Sequence, residues 1–267
     1  MEGVKGKVCV TGASGFLASW LVKRLLLCGY HVIGTVRDPA NEKKVAHLWR
    51  LEGANERLKL VRADLLEEGS FDDAIMGCQG VFHTASPVMK SSFHPKACSS
   101  EEIVELAVKG TVNVRVVLTS SSSAVRLWYA LAKAQAEKAA GEFCTENKID
   151  LVTVLPAFVV GPSLPPDLCS TASDVLALLK GETEQFQWNG RMGYIYIDDV
   201  ALCHILVYEH EGASGRYLCS SMVIDHDEPY YEFNTSKITS LGFKFRLIEE
   251  MFDDCIKALV EQGHLFL

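Results

Sequence analysis

Tyr129 and Lys133 stand four residues apart in the stretch LWYALAKAQAEKAA, and that spacing puts both on one face of a helix. An ammonium beside a phenol favours the phenolate, which draws the tyrosine pKa down from about 10 towards the working range. A tyrosine tuned in this way can donate a proton to a carbonyl oxygen as hydride arrives on its carbon. The pair alone is a weak signal, because Tyr and Lys four apart occur by chance in many helices. Here it follows the apolar run Val116-Val117-Leu118, then Thr119 and the four serines Ser120 to Ser123, downstream of a dinucleotide-type βαβ unit, and in that context it becomes strong.

A second group of residues sits at the opposite end of the chain. Val8-Cys9-Val10 reads as a strand buried on both faces, and Thr11-Gly12-Ala13-Ser14-Gly15-Phe16-Leu17-Ala18 follows it. Leu17, Trp20, Leu21, Leu25 and Cys28 then recur at helical spacing, Gly29 stops the helix, and His31 to Val36 is a second strand. Within this βαβ unit, Gly12 permits a tight turn, Gly15 clears the approach of a pyrophosphate, and Ala18 lets helix and strand pack closely. The helix N-terminus offers N–H groups to phosphate oxygens. Where an NAD site places an acid, at the end of the second strand, this chain has Arg37, with Lys44 a short way on. A guanidinium there suits the 2′-phosphate of NADP(H). Asp38 precedes Pro39 and reads as a turn former.

The elements that must position these residues alternate along the chain. Strands are expected at 58–62, 81–85, 116–118 and 151–155, and helices at 41–51, 71–76, 101–113 and 127–143. That alternation predicts an α/β fold with a doubly wound parallel sheet over residues 1–161. Beyond Gly161-Pro162 the pattern loosens into helices at 172–180, 199–208 and 251–262 and short strands at 194–197 and 216–219. A smaller, mainly substrate-binding lobe over 162–267 is expected, with the chain interleaving between the two parts.

Bulk composition removes other classes. The 267 residues are 48% hydrophobic and 22% charged with a net charge of −8, which argues against a nucleic-acid partner. No apolar stretch reaches the length of a membrane helix, and residues 1–7 carry no signal-peptide pattern. Nine scattered cysteines without a C-x-x-C pair read as reduced thiols of a cytoplasmic protein, and no metal site is expected. His83 reads as a satisfied core histidine, Trp20 and Trp49 as packing residues, and Asp198 and Asp199 as N-cap and first-turn acids.

TGASGFLA, the Tyr-x-x-x-Lys helix and the serine cluster together resemble the extended short-chain dehydrogenase/reductases. Thr35 to Pro39, Ala63 to Phe71 and Gly80 to Pro87 look like the plant dihydroflavonol reductase and cinnamoyl-CoA reductase group. The stretches HLWRLEGANERLKL, FHTASPV, LTSSSSAVR and LPAFVVGPSLPPDLCSTASDVLALLKGE are similar to the tetraketide α-pyrone reductases of pollen-wall (sporopollenin) precursor synthesis. The resemblance implies NADPH-dependent reduction of a polyketide or phenylpropanoid ketone. It implies that Ser121 is the catalytic serine, with Ser123 as the alternative, that Tyr129 is the proton donor, and that Lys133 tunes it and holds the nicotinamide ribose. Gly12, Ser14, Gly15, Phe16 and Leu17 would hold the pyrophosphate, Arg37 and Lys44 the 2′-phosphate, and Asp64 and Leu65 the adenine. Thr84, Ala85, Ser86, Pro156 and Val159 would flank the ribose and nicotinamide, with Thr171 nearby. It further implies a cytoplasmic enzyme in loose association with an upstream polyketide synthase and the cytosolic face of the endoplasmic reticulum.

Two features depart from these relatives. Trp128-Tyr129-Ala130 replaces the Trp-Tyr-Cys of cinnamoyl-CoA reductases, and Ser121 and Tyr129 lie only eight apart where the family has tens of residues. The junctions Val114/Arg115, Arg126/Leu127 and Asp227/Glu228 are also too short to reverse the chain between elements. Segments present in the family are therefore expected to be missing there.

Overall fold

The computed structural model describes residues 5–85, 115–121, 128–182, 192–224 and 233–266. The expected helix at 101–113 lies outside these residues, as do Ser86, Ser123 and the junctions at 114, 126/127 and 227/228.

Seven strands form one sheet. They are β1 (Lys7–Val10), β2 (His31–Val36), β3 (Leu58–Arg62), β4 (Gly80–His83), β5 (Arg115–Thr119), β6 (Asp150–Pro156) and β9 (Gly215–Cys219), in the order β3-β2-β1-β4-β5-β6-β9. Every pairing between neighbours is parallel, so the carboxyl ends of all seven strands share one edge. The order reverses between β1 and β4. Adjacent loops diverge to opposite faces there, and such a switch point leaves a crevice for a ligand. A second sheet of three strands, β7 (Phe158–Val160), β8 (Met192–Tyr196) and β10 (Met222–Ile224), has the order β10-β8-β7, with β7 and β8 parallel and β10 antiparallel to β8.

Nine helices are present among the described residues: α1 (Phe16–Leu27), α2 (Glu42–Trp49), α3 (Ala54–Arg57), α4 (Asp72–Ile75), α5 (Trp128–Asn147), α6 (Ser170–Leu179), α7 (Ile197–Glu209), α8 (Ser236–Thr239) and α9 (Ile248–Glu261). Residues beyond 162 supply both the edge strand β9 of the large sheet and the small sheet's β8 and β10.

Local sequence explains the nucleotide-side unit. Val8, Cys9 and Val10 are fully buried, as their unbroken apolar run requires. The α1 stripe Trp20, Leu21, Leu25 and Leu26 is buried in the same core as Ile197, Val200 and Ala201 of α7. Gly29, at φ +86°, ends α1. Its N–H bonds to Leu26 O and that of Tyr30 to Leu25 O, the paired bonds of a Schellman stop.

Some expected assignments change. The fourth strand ends at His83, leaving Thr84 and Ala85 beyond it as loop. The 41–51 helix is shorter, and α3 follows as a separate turn after left-handed Gly53. Trp49 is 41% exposed and is no core packing residue, since it falls on the outer side of an amphipathic helix whose buried positions are Val45, His47 and Leu48. Asp198 and Asp199 occupy the first turn of α7, but the N-cap is Tyr196 and both acids are buried.

Candidate active site

The crevice at the switch point is closed at its base by a hydroxyl. Thr11, directly after β1, is fully buried, and its Oγ1 accepts the N–H groups of Thr84 (3.1 Å) and Ala85 (3.0 Å), directly after β4. With both acceptor positions used, its proton goes to His83 Nδ1 at 2.9 Å, which fixes His83 as the Nε2–H tautomer. Thr84 Oγ1 donates back to Thr11 O. On the other side, Thr35 of β2 accepts the Gly12 N–H at 3.0 Å on its hydroxyl and the Ala13 N–H at 2.8 Å on its carbonyl. Gly12 has φ +70°, and a Cβ there would meet Ala85 Cα at 3.2 Å, so only glycine lets the two loops pass this closely.

This cradle fits a dinucleotide phosphate. The α1 N-cap is Gly15, which brings no side-chain acceptor, and the first turn of α1 contains no acid. The positive end of the helix therefore meets no competing charge of its own. Ser14, Gly15 and Phe16 line a cavity of about 180 Å³ together with Lys44, Pro165, Pro166, Asp167 and Cys169. Arg37, exposed just past β2, and Lys44, in α2, provide the positive charge on the outer side. Lys44 Nζ donates to Asp167. Asp64, just past β3, caps its own turn by accepting the Leu66 N–H at 3.0 Å, and Ser70 Oγ donates to its carbonyl at 2.8 Å; Leu65 is partly buried beside it.

The catalytic side is ordered from the backbone. Ser121 is partly exposed two residues after the end of β5, and its neighbour Ser120 is buried. Ser120 is committed to structure: its N–H bonds to Val154 O at 2.9 Å and its hydroxyl to Glu137 Oε2 at 2.8 Å. Glu137, on α5, pairs in turn with Arg216 of β9 at 2.6 Å. Tyr129 and Lys133 lie on the same helix, eight and four residues before Glu137. Thr119, the last residue of β5, bonds to the fully buried His204 of α7, its Oγ1 at 2.8 Å from Nε2. His204 Nδ1 donates to Val200 O at 2.7 Å, so Nε2 carries no proton and accepts from Thr119. Burial pushes the His204 pKa down to about 4. Pro156 closes β6 and is buried, Val159 lies in β7, and Thr171, in the first turn of α6, has its hydroxyl 3.4 Å from Cys169 Sγ.

Thr11, Thr35, Glu137 and Asp167 were given no role by the sequence, whereas His83 is the buried, hydrogen-bonded core histidine expected there. The recognisable trace of the first two is a threonine at or near the carboxyl end of a buried strand beside a glycine turn. Among the described residues no group of side chains could hold a metal ion, the cysteines form no disulfide, and no helix is long and apolar enough to cross a membrane.

A parallel sheet of order 3-2-1-4-5-6 with a glycine turn at its switch point is a dinucleotide-binding architecture. The chain belongs to the NAD dependent epimerase/dehydratase family, whose profile matches residues 8–128 and 117–219. It is 60% identical to tetraketide alpha-pyrone reductase 1 of Arabidopsis thaliana, over 99% of this chain and 98% of that protein. Vestitone reductase from alfalfa (Medicago sativa) superposes with a TM-score of 0.78 at 33% identity, over 98% of this chain and all of that one. Yeast methylglyoxal/isovaleraldehyde reductase Gre2, solved with NADPH, shares the fold at a TM-score of 0.82 and 24% identity, over 97% of this chain and all of that one. The Arabidopsis alignment runs over 325 positions against 267 residues, so that relative carries internal stretches which this chain omits.

Proposed function

We propose that this NADP-dependent oxidoreductase reduces the ketone of an alkyl tetraketide α-pyrone to a secondary alcohol, in the synthesis of sporopollenin precursors. The observation carrying this reading is the 60% identity to a tetraketide α-pyrone reductase across almost the whole chain. NADPH, when bound, supplies the hydride. The chain's residues do the rest. Gly12, Ser14, Gly15, Phe16 and Leu17 hold the pyrophosphate against the α1 N-terminus, and Arg37 and Lys44 hold the 2′-phosphate. Asp64 and Leu65 border the adenine, and Thr84, Ala85, Ser86, Pro156, Val159 and Thr171 border the ribose and nicotinamide. Ser121 donates a hydrogen bond to the substrate carbonyl oxygen, and Tyr129 gives that oxygen its proton. Lys133 lowers the Tyr129 pKa and binds the nicotinamide ribose.

Phenylpropanoid ketones are the alternative substrate class, as for dihydroflavonol or cinnamoyl-type reductases. Ala130 after Tyr129, where cinnamoyl-CoA reductases carry cysteine, speaks against thioester reduction. Loose association with a polyketide synthase and a cytoplasmic place of action, at the endoplasmic reticulum surface, belong to the same proposal.

NADPH oxidation measured in parallel with an alkyl α-pyrone ketone, a dihydroflavonol and a cinnamoyl thioester tests it. Preferential turnover of the α-pyrone is expected, with Tyr129→Phe reducing kcat by about 10²-fold or more while NADPH binding persists. Full activity of the Phe variant would remove Tyr129 as proton donor. NADPH binding without turnover of any ketone would make the chain a cofactor-binding protein only.

A further inference from the structure

Residues 162–169 run from the small sheet to α6 as a strap, and the strap crosses the mouth of the phosphate cradle. Both of its ends are anchored. Trp20 Nε1 of α1 donates to Pro162 O at 2.8 Å, and Gln262 Nε2, just past α9, donates to Ser163 O at 2.7 Å. At the far end Cys169 Sγ caps α6, accepting the Ala172 N–H at 3.4 Å. The middle, Pro165 to Asp167, faces Ser14, Gly15, Phe16 and Lys44 across the 180 Å³ cavity. Its ionic contact with the cradle is the pair between Lys44 and Asp167, which joins α2 to the strap across 123 residues of sequence. Both side chains are about half exposed, at 56% and 50%, so the pair is exchangeable with other charged partners. Lys44 holds the Asp167 carboxyl below its usual range, with Lys43 and His264 adding to that pull.

We propose that Asp167 is a specificity-determining residue for the dinucleotide: its carboxylate competes with the 2′-phosphate for Lys44, latching the 165–167 strap when no 2′-phosphate is present. This rests on the reading of Lys44 as a 2′-phosphate contact. A phosphate carrying close to two negative charges and able to accept several hydrogen bonds displaces a single carboxylate from an ammonium. Asp167, once displaced, stays as a like charge at the rim of the same cavity and opposes the phosphate. Both effects weaken NADP(H) binding, and neither acts on NAD(H), whose 2′-hydroxyl has no charge. Asp167 therefore restrains the preference for NADPH that Lys44 and Arg37 create, and it couples strap release to arrival of the phosphorylated cofactor.

The test is a binding measurement without substrate. NADPH and NADH dissociation constants are read by nucleotide fluorescence on the full chain, for wild type, Asp167→Asn, Asp167→Glu, Lys44→Gln and the Asn/Gln double variant. Asp167→Asn should tighten NADPH about threefold to tenfold while moving NADH less than about twofold. Asp167→Glu should restore wild-type discrimination, and the Asn effect should shrink in the Lys44→Gln background, because the two side chains act on each other. Tightening of both cofactors alike by Asp167→Asn, or no tightening while Lys44→Gln weakens NADPH, overturns the latch and leaves the Lys44 reading standing. Undiminished NADPH affinity in Lys44→Gln overturns the Lys44 reading itself and the latch with it.

Discussion

The Thr11 hydroxyl serves the N–H groups of Thr84 and Ala85 and the ring of His83 together; Thr11 and His83 are buried, and Thr84 and Ala85 are partly so. Thr11→Val has nearly the same shape and strands those partners. Each buried polar group left unpaired costs roughly 1 to 3 kcal/mol, so a loss of about 2 to 4 kcal/mol in urea unfolding is expected, with Thr11→Ser close to wild type. His204 gives a prediction in pH. Its folded pKa of about 4 lies below the unfolded value of about 6.5, so it contributes stability that is present above pH 6.5 and lost as pH falls towards 4. Linkage from that one group amounts to about 2 kcal/mol between pH 7.5 and 5. His204→Gln should flatten the pH dependence of urea-unfolding free energy by that amount; an unchanged slope would mean that His204 is not held neutral. Because Thr119 donates to this ring two residues before Ser121, protonation of His204 would also withdraw an acceptor from the strand end that carries the serine.

The legibility of individual elements followed the range of the forces that make them. The β1–α1–β2 unit was readable because strand burial, helix stripe, glycine stop and cradle are all local patterns, and each is found where expected. The roles of Asp198 and Asp199 were not readable. Acids in a first helical turn look like ordinary dipole partners, whereas Asp198 receives two bonds from Arg24 of α1 and one from Arg246 at 3.2 Å. Asp199 Oδ2 accepts the Arg246 N–H at 2.7 Å. These partners are 47 or more residues away in sequence, and no period signals them. The consequence is an ionic knot tying α7 to α1 and to the segment before α9. Asp198 is buried while Arg24 and Arg246 reach solvent, so Asp198→Asn, which weakens charge-assisted hydrogen bonds without stranding a buried cation, should cost roughly 1 to 3 kcal/mol in urea unfolding. A loss under about 0.5 kcal/mol would show that Arg24 and Arg246 are satisfied by water. On the catalytic side, the Ser120–Glu137–Arg216 brace escaped the sequence for the same reason. It joins β5, α5 and β9, and so fixes how far Tyr129 and Lys133 lie along α5 from the end of β5.

At the scale of the whole molecule, the parallel order around the β1/β4 switch makes the cradle from two halves of the sheet. Gly12 to Leu17, Arg37 and Lys44 come from the β3-β2-β1 side, and Thr84, Ala85, Ser121 and Pro156 from the β4-β5-β6 side. The glycine turn, Arg37 and Lys44 were legible as local pattern and the second set only through family resemblance, whereas strand order depends on long-range pairing that no local pattern encodes. Ser121 and Tyr129 also stand closer together in sequence than in the family, in keeping with internal stretches that the Arabidopsis relative has and this chain omits. A dinucleotide spanning both halves must stabilise them jointly. At a concentration one hundred times its dissociation constant, NADPH should add about 2.7 kcal/mol to unfolding, and the shift should appear on one cooperative transition whether followed by tryptophan fluorescence or by far-ultraviolet circular dichroism. With Trp49, Trp128 and Trp188 replaced by Phe, Trp20 of α1 reports the first half, and backbone dichroism reports all seven strands. On the proposed role of Arg37 and Lys44 as 2′-phosphate contacts, NADH at the same concentration should add less. If fluorescence moved with NADPH while dichroism split into a shifted and an unshifted step, the cofactor would be bound by the β3-β2-β1 half alone.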